Sequence, residues 1–385
     1  MESADLAIRT VWQVKASTLC NMRCPYCYEW DRLSDRTRIP IEGWEKIFQA
    51  MADYARYRSE KNGIRAATLV VWHGGEPLLL PPDYVRDVLS QQREVMCREG
   101  NGVNRVLNAV QTNLSRLNRT LDLMVTEGFF VSVSYDGANK IRVDCAGRDT
   151  QHRVEANMAA LVDRGAVCGV ALVLGRHNYR RLAKIHDTLE DSGIAWLRIN
   201  PMYRPPYNAP VGELALSTDE VVEALAGLMA HRLRQGSRLP VAPLDRIPQT
   251  LSRYRQGLST RTRDRRSFGE TRFVVHPDGT LTYETGMGSN VRRLGNLFEQ
   301  TMAEILRSES YQASLEDSDA KRARHCSHCR YQDACNGRPL LEFQDVAPPG
   351  PCPVEARLCE FAETSLFSKQ RSGLARLEPV ANLHC

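Results

Sequence analysis

Six short apolar runs, separated by stretches with helical periodicity, restrict this chain to few architectures. The runs cover residues 11–15, 67–72, 103–111, 129–135, 167–174 and 196–199, and the helix-period segments include 41–61, 82–98, 154–164, 180–191 and 218–235. A strand that pairs in parallel with its predecessor needs a crossover long enough for a helix, so the alternation predicts a parallel sheet covered by helices. Six strand-helix units fall short of the eight that close a full barrel. The expected fold is therefore α/β, a partial (β/α)6 TIM-like barrel over residues 1–236. In such barrels function sits in the loops at the C-terminal ends of the strands.

After Gly236 the pattern changes. Pro240, Pro243 and Pro248 read as a linker, a hairpin is expected from 272–275 and 280–283 around Pro277-Asp278-Gly279, and a helix over 297–308 leads into a cysteine-rich tail. Residues 237–385 are expected to form a second, smaller domain. The chain is 42% apolar, enough for a substantial core, and its net charge of +5 is small and scattered apart from a basic run at Arg261 to Arg266. That balance argues against a nucleic-acid partner and is compatible with an acidic peptide. No stretch approaches the roughly 20 apolar residues that span a bilayer, and the N-terminus lacks a secretory pattern, so no membrane partner and a cytoplasmic location are expected.

In a reducing compartment clustered cysteines read as metal ligands before disulfides. Of the twelve, three crowd at Cys20, Cys24 and Cys27, and five lie at Cys326, Cys329, Cys335, Cys352 and Cys359. Cys20, Cys24 and Cys27 follow the first strand directly, which puts three thiolates at the barrel mouth. Three thiolates can ligate three irons of a cubane and leave the fourth iron open to a small chelator, to which the amino and carboxylate groups of S-adenosylmethionine (SAM) are suited. The alternative is a zinc site with His73 as fourth ligand.

The C-x3-C-x2-C loop, with Tyr26 before its last cysteine, resembles the signature of the radical SAM superfamily. Trp72-His-Gly74-Gly75-Glu76-Pro77 is similar to that family's G-G-E-P motif, and the segments Gln111-Thr112-Asn113 and Ser132-Val-Ser134-Tyr-Asp136-Gly137 resemble segments that contact SAM. The resemblance implies a 4Fe-4S cluster with an open site for SAM, a 5'-deoxyadenosyl radical, and a flavodoxin- or ferredoxin-type electron donor. It also implies SAM-binding roles for Tyr26, Gly74, Gly75, Glu76, Thr112, Asn113, Ser134 and Asp136. Glu76 would take the amino group, Ser134 and Asp136 would face the ribose or methionine part, and Arg142 would pair with the carboxylate.

Cys326-Ser-His-Cys329, Cys335 and then Cys352, with Cys359 competing as fourth ligand, are similar to the SPASM extension of radical SAM peptide maturases, and Leu294-Gly-Asn-Leu297 resembles the lead-in to that domain. The second domain is thus expected to be SPASM/twitch-like. The chain departs from the pattern consistently: Glu284 stands where a cysteine is expected, none occurs between Cys168 and Cys326, and Pro339 replaces the partner of Cys335. The proximal auxiliary ligands are missing together, so one auxiliary 4Fe-4S cluster is expected; a structural zinc on the same cysteines is the alternative.

Relatives with this extension mostly modify ribosomally made peptides. The expected function is a cross-link, carbon-carbon or ether and of cyclophane type among others, in a precursor peptide. Alternatives are sulfatase maturation to formylglycine, or a dehydrogenase or epimerase acting on a small molecule. Glu284, Tyr283 and His276 are candidates to line the space left by the missing cluster, and Arg198, Asn200 and Tyr203 are candidates to face substrate. Too few residues precede the first strand for a leader-binding domain, so a leader is expected to dock on the barrel or the second domain.

Overall fold

The first strand shows how the barrel is built. In β1 (Ile8–Ser17) the side chains of Trp12, Val14 and Ala16 are buried in the core, while Gln13 and Lys15, on the opposite face, point into the barrel. The computed structural model describes residues 8–62, 66–96, 103–138, 140–202, 213–258, 272–282, 292–335, 352 and 354–366.

The expected strands are present and parallel in chain order: β1, β2 (Ala66–Gly74), β3 (Val103–Thr112), β4 (Phe130–Ser134), β5 (Cys168–Leu174) and β6 (Leu197–Pro201). Helices α1 (Ile41–Asn62), α2 (Pro82–Met96), α3 (Arg119–Thr126), α4 (Gln151–Asp163), α5 (Leu182–Asp191) and α6 (Thr218–Gln235) follow them in turn. The chain therefore forms the expected partial barrel. Ser217 opens α6 with a capping box to Glu220, and Gly236 closes it in the left-handed region at φ 66°.

Two features differ from the reading of the sequence. The Pro-punctuated stretch contains β7 (Val241–Ala242), parallel to β6, and α7 (Arg246–Arg255). Pro248 lies in the first turn of that helix, where a missing N–H leaves no hydrogen bond unmade. The helix expected over 297–308 begins only at α8 (Met302–Arg307), because Thr301 forms a capping box with Glu304, and Ser308 then caps a long α9 (Glu309–Cys326). With few apolar residues besides Tyr311 and Leu315, α9 carries a weak periodic signal.

The hairpin joins the barrel sheet. β8 (Arg272–Val275) pairs in parallel with β1, Val11 opposite Arg272, and then antiparallel with β9 (Thr280–Thr282), which pairs with β10 (Gly295–Asn296). One ten-stranded sheet results, in the order β10-β9-β8-β1-β2-β3-β4-β5-β6-β7. An aromatic seam fixes that junction: Phe273 of β8 lies 4.6 Å from Trp12 and 4.8 Å from Tyr54 of α1, while Trp44 stacks on Trp72 at 4.8 Å. Each such ring contributes about 1.5–3 kcal/mol by leaving water. The last helix, α10 (Glu355–Phe361), packs on α6 and α7.

Candidate active site at the barrel mouth

The cysteine loop leaves β1 at Ser17 and is tied down by its neighbours. Cys20 N–H donates to Leu33 O at 2.9 Å, Arg23 N–H to Val143 O at 2.8 Å, and Cys27 N–H to Cys24 O at 2.9 Å. The end of β2 locks it from the other side, with Gly75 N–H donating to Ser17 O and Glu76 N–H to Leu19 O, both at 2.9 Å. Only glycine fits there. Gly74 has φ +119° and a Cβ on it would sit 2.0 Å from Ser17 O; a Cβ on Gly75 would sit 2.2 Å from Leu19 O. The two glycines thus serve first to admit the backbone of the cysteine loop.

Glu76 is the hub of the mouth. Its buried carboxylate accepts from Leu78 N–H at 2.9 Å, Thr112 Oγ1 at 2.8 Å and Asn113 N–H at 2.6 Å. Burial nevertheless holds its pKa above the usual carboxylate range. The Asn113 amide donates to Asn21 Oδ1 at 2.9 Å and reaches Cys20 Sγ at 3.9 Å. Glu76, Thr112 and Asn113 therefore bind the loops after β1, β2 and β3 into one frame.

On the opposite side, Tyr26 donates its hydroxyl to Asp136 Oδ2 and accepts from Arg142 Nη1 at 2.6 Å. Asp136 is fixed in turn by Val173 N–H at 2.9 Å. Arg142 reaches Asp136 at 3.8 Å, and its Nε is buried with no hydrogen-bond partner. Ser134 accepts from Gln111 Nε2 at 2.7 Å on the lumen face of β4. Every cofactor-binding residue expected from the sequence lies in this mouth or its immediate frame.

Burial pushes the Cys20 thiol up to about 12 and Cys27 to about 11, and raises Cys24 as well, although Arg142 pulls that thiol down. A buried cation reverses this, because ligated thiols are deprotonated outright. Among the described residues, the side chains with three ligand atoms within 4.8 Å of one another are His186, Asp187 and His231, so neither cysteine group is drawn in that tightly. A single zinc with bonds of about 2.3 Å needs its sulfurs about 3.8 Å apart, whereas a cubane takes one thiolate per iron and spaces them wider. The donor set and the unpaired Arg142 Nε fit a cluster with a bound SAM carboxylate.

The lumen beneath the mouth is polar. Lys15 pairs with Glu29 at 2.5 Å and lies over the Tyr28 ring; Tyr28 meets His73 Nδ1 at 3.4 Å. Arg198, bonded to Asn200 at 3.0 Å, enters from β6 and Arg272 from β8. Burial, then Lys15 and other cations nearby, hold both His73 and His276 neutral with pKa values of about 3, and His276 Nε2 lies 3.3 Å from Thr282 Oγ1. The sequence reading overlooked the pair of Lys15 and Glu29, although polar residues two apart in an apolar run signal a lumen face. Tyr283, Glu284, Tyr203 and Pro339 lie outside the described residues.

At the other end of the chain, Cys326 closes α9, and Cys329 and Cys335 follow in tight turns, with Cys329 N–H donating to Cys326 O at 3.0 Å and Cys335 N–H to Tyr331 O at 2.9 Å. Cys352 and Cys359 are both buried. Burial, then Glu355 and the nearby Cys335, Cys329 and Cys352, raise the Cys359 thiol, so Cys359 lies near three of the four expected ligands.

A half-open barrel with three thiols at its mouth, joined through its own sheet to a cysteine-bearing extension, defines a class. The model of the radical SAM superfamily matches residues 14–189 and that of the SPASM iron-sulfur cluster-binding domain matches residues 267–330. This chain is a radical SAM enzyme with a SPASM domain, and its cofactors are a 4Fe-4S cluster, SAM and auxiliary iron-sulfur. It is similar to the cysteine-type anaerobic sulfatase-maturating enzyme of Clostridium novyi (strain NT), 22% identical over 83% of this chain and 84% of that one. The serine-type enzyme of Klebsiella aerogenes is 25% identical over 83% of this chain and 76% of its own length. Among solved structures, anSMEcpe with bound AdoMet and Cp18Cys peptide superimposes with a TM-score of 0.69 at 20% identity, covering 92% of this chain and 96% of that one. Streptococcus suis SuiB bound to precursor peptide SuiA gives 0.61 at 13% identity, covering 92% and 77%. Among the described residues no helix is long and apolar enough to cross a membrane.

Proposed function

We propose that this enzyme cross-links side chains of a ribosomally synthesised precursor peptide, through a carbon-carbon or ether bond. The carrying observation is that no cysteine stands between Cys168 and Cys326, in a chain whose barrel mouth opens onto a polar lumen. In this reading the space that a proximal auxiliary cluster would take is left to a peptide segment. Bound at Cys20, Cys24 and Cys27, the cluster with SAM supplies a radical that removes one hydrogen atom from a side-chain carbon.

In this reading Tyr26, Asp136 and Arg142 position SAM, Arg142 through its carboxylate, and Glu76 holds the loops that frame it. Arg198 and Asn200 contact the peptide. Cross-linking removes a second hydrogen as a proton and an electron. In this reading His276 lines the space for the peptide, the proton passes to water, and Cys326, Cys329, Cys335 and Cys352 hold the single auxiliary centre that would take the electron. A flavodoxin- or ferredoxin-type donor provides reducing equivalents.

Sulfatase maturation is the second reading, and the similarity to the Clostridium and Klebsiella enzymes favours it. Anaerobic incubation with SAM, dithionite and a short peptide encoded beside this gene separates the two. A cross-linked product loses two hydrogens, shows linked residues on fragmentation and does not react with hydrazides. Conversion of a sulfatase-derived cysteine or serine peptide to a hydrazide-reactive aldehyde, with the precursor peptide untouched, would overturn the first reading.

A further inference from the structure

On the outer, helical face of the barrel, α5 and α6 bring two imidazoles to one carboxylate. His186 and Asp187 are neighbours on α5, and His231 reaches across from α6. His186 Nδ1 lies 3.0 Å from Asp187 Oδ1, and His231 Nε2 lies 2.8 and 2.9 Å from the two Asp187 oxygens. His186 is fully buried, whereas Asp187 and His231 are partly open to solvent.

The proton inventory decides what can join them. His186 Nε2 is 3.1 Å from Ser237 Oγ, and Ser237 also bonds the Glu190 carboxylate, which accepts Arg238 N–H at 2.6 Å and Leu239 N–H at 3.1 Å. Ser237 has one hydroxyl proton, and a carboxylate is a stronger acceptor than an imidazole. With that proton on Glu190, Ser237 Oγ accepts from His186 Nε2–H, which leaves a lone pair on Nδ1 facing the lone pairs of Asp187. A divalent ion between them would join all three groups and leave His186 in an ordinary neutral tautomer.

We propose that His186 Nδ1, the Asp187 carboxylate and His231 Nε2 form a site for one zinc-like divalent cation, separate from the iron-sulfur chemistry. Two nitrogens and a carboxylate suit zinc, whose bonds of about 2.0–2.1 Å place ligands about 3.3 Å apart, so each nitrogen and the carboxylate oxygen it faces need to spread by only a few tenths of an ångström. Glu190 and Ser237 orient the buried ligand from behind, as outer partners of metal-bound histidines do. Water completes the coordination on the open side. The ion clamps α5 to α6 and to the turn that enters β7, where Leu197 N–H of β6 donates to Pro240 O at 2.8 Å. It thereby steadies the strand that carries Arg198 and Asn200.

The test uses the full chain with its clusters assembled, dialysed anaerobically against micromolar zinc chloride and counted for zinc and iron. One zinc per chain is expected in the wild type, lost in His231→Ala and in Asp187→Asn with iron unchanged. Zinc K-edge absorption of the wild type alone should show only nitrogen and oxygen neighbours. Equal zinc in wild type and variants, sulfur neighbours around the ion, or no zinc retained by the wild type would each overturn the site, the last leaving only a hydrogen-bonded cluster in its place.

Discussion

The two cysteine regions of this enzyme are built in opposite ways. At the barrel mouth the loop holding Cys20, Cys24 and Cys27 is bound by backbone hydrogen bonds to residues far away in sequence, and Glu76 ties three loops together by itself. In the tail, the backbone hydrogen bonds made by Cys329 and Cys335 N–H stay within a few residues, and longer reach comes from buried Leu358 and Cys359 and from Tyr331 donating to Glu363 at 2.6 Å. The mouth owes its shape to hydrogen bonds across the barrel, so the tail is expected to lean more on its metal. A reactive centre benefits from ligands whose geometry is set before the cofactor arrives, while a supporting centre can contribute to folding as it binds.

The largest effect that could break this comparison is on catalysis. Cys24→Ala should reduce release of 5'-deoxyadenosine from SAM and dithionite to background while leaving thermal stability nearly unchanged; sustained cleavage would remove the radical source from the mouth. Gly74→Ala should also abolish cleavage, by another route and with a clear loss of thermal stability, since its Cβ overlaps Ser17 O. Iron should fall from about eight per chain to about four, with the tail retaining its share.

Cys352→Ser and Cys359→Ser reverse the pattern. The variant that loses tail iron identifies the fourth ligand and should unfold at clearly lower temperature, yet still cleave SAM; unchanged melting would show that the tail does not depend on its metal. Glu76→Gln is a smaller change. An amide must turn its NH2 towards one of the N–H donors, which should cost about 1–3 kcal/mol in denaturant unfolding.

A further effect concerns pH. His276 has a folded pKa lowered to about 3 from 6.5, so the unfolded chain binds the extra proton first. Its contribution is present above 6.5 and is lost as pH falls towards 3, so stability declines over that window. His276→Gln should make that acid limb less steep in melting curves recorded across it, His73 supplying the rest, and an unaltered limb would place the titration elsewhere.

The sequence by itself determined the barrel and the identity of the mouth. Strand periodicity, helix periodicity and a C-x3-C-x2-C loop are local patterns, and the rule that consecutive parallel strands lie side by side converts them into a fold. Tyr26, Glu76, Thr112, Asn113, Ser134, Asp136 and Arg142 could each be named from short motifs. Only the tertiary structure decided that β8 docks against β1, that Pro248 lies in the first turn of a helix, and that His186 and His231 share Asp187. The physical reason is the same throughout: these partners lie far apart along the chain, and they meet because burying Phe273 against Trp12 and Tyr54, or packing α5 on α6, removes apolar surface from water. No local pattern encodes which distant surface will cover which.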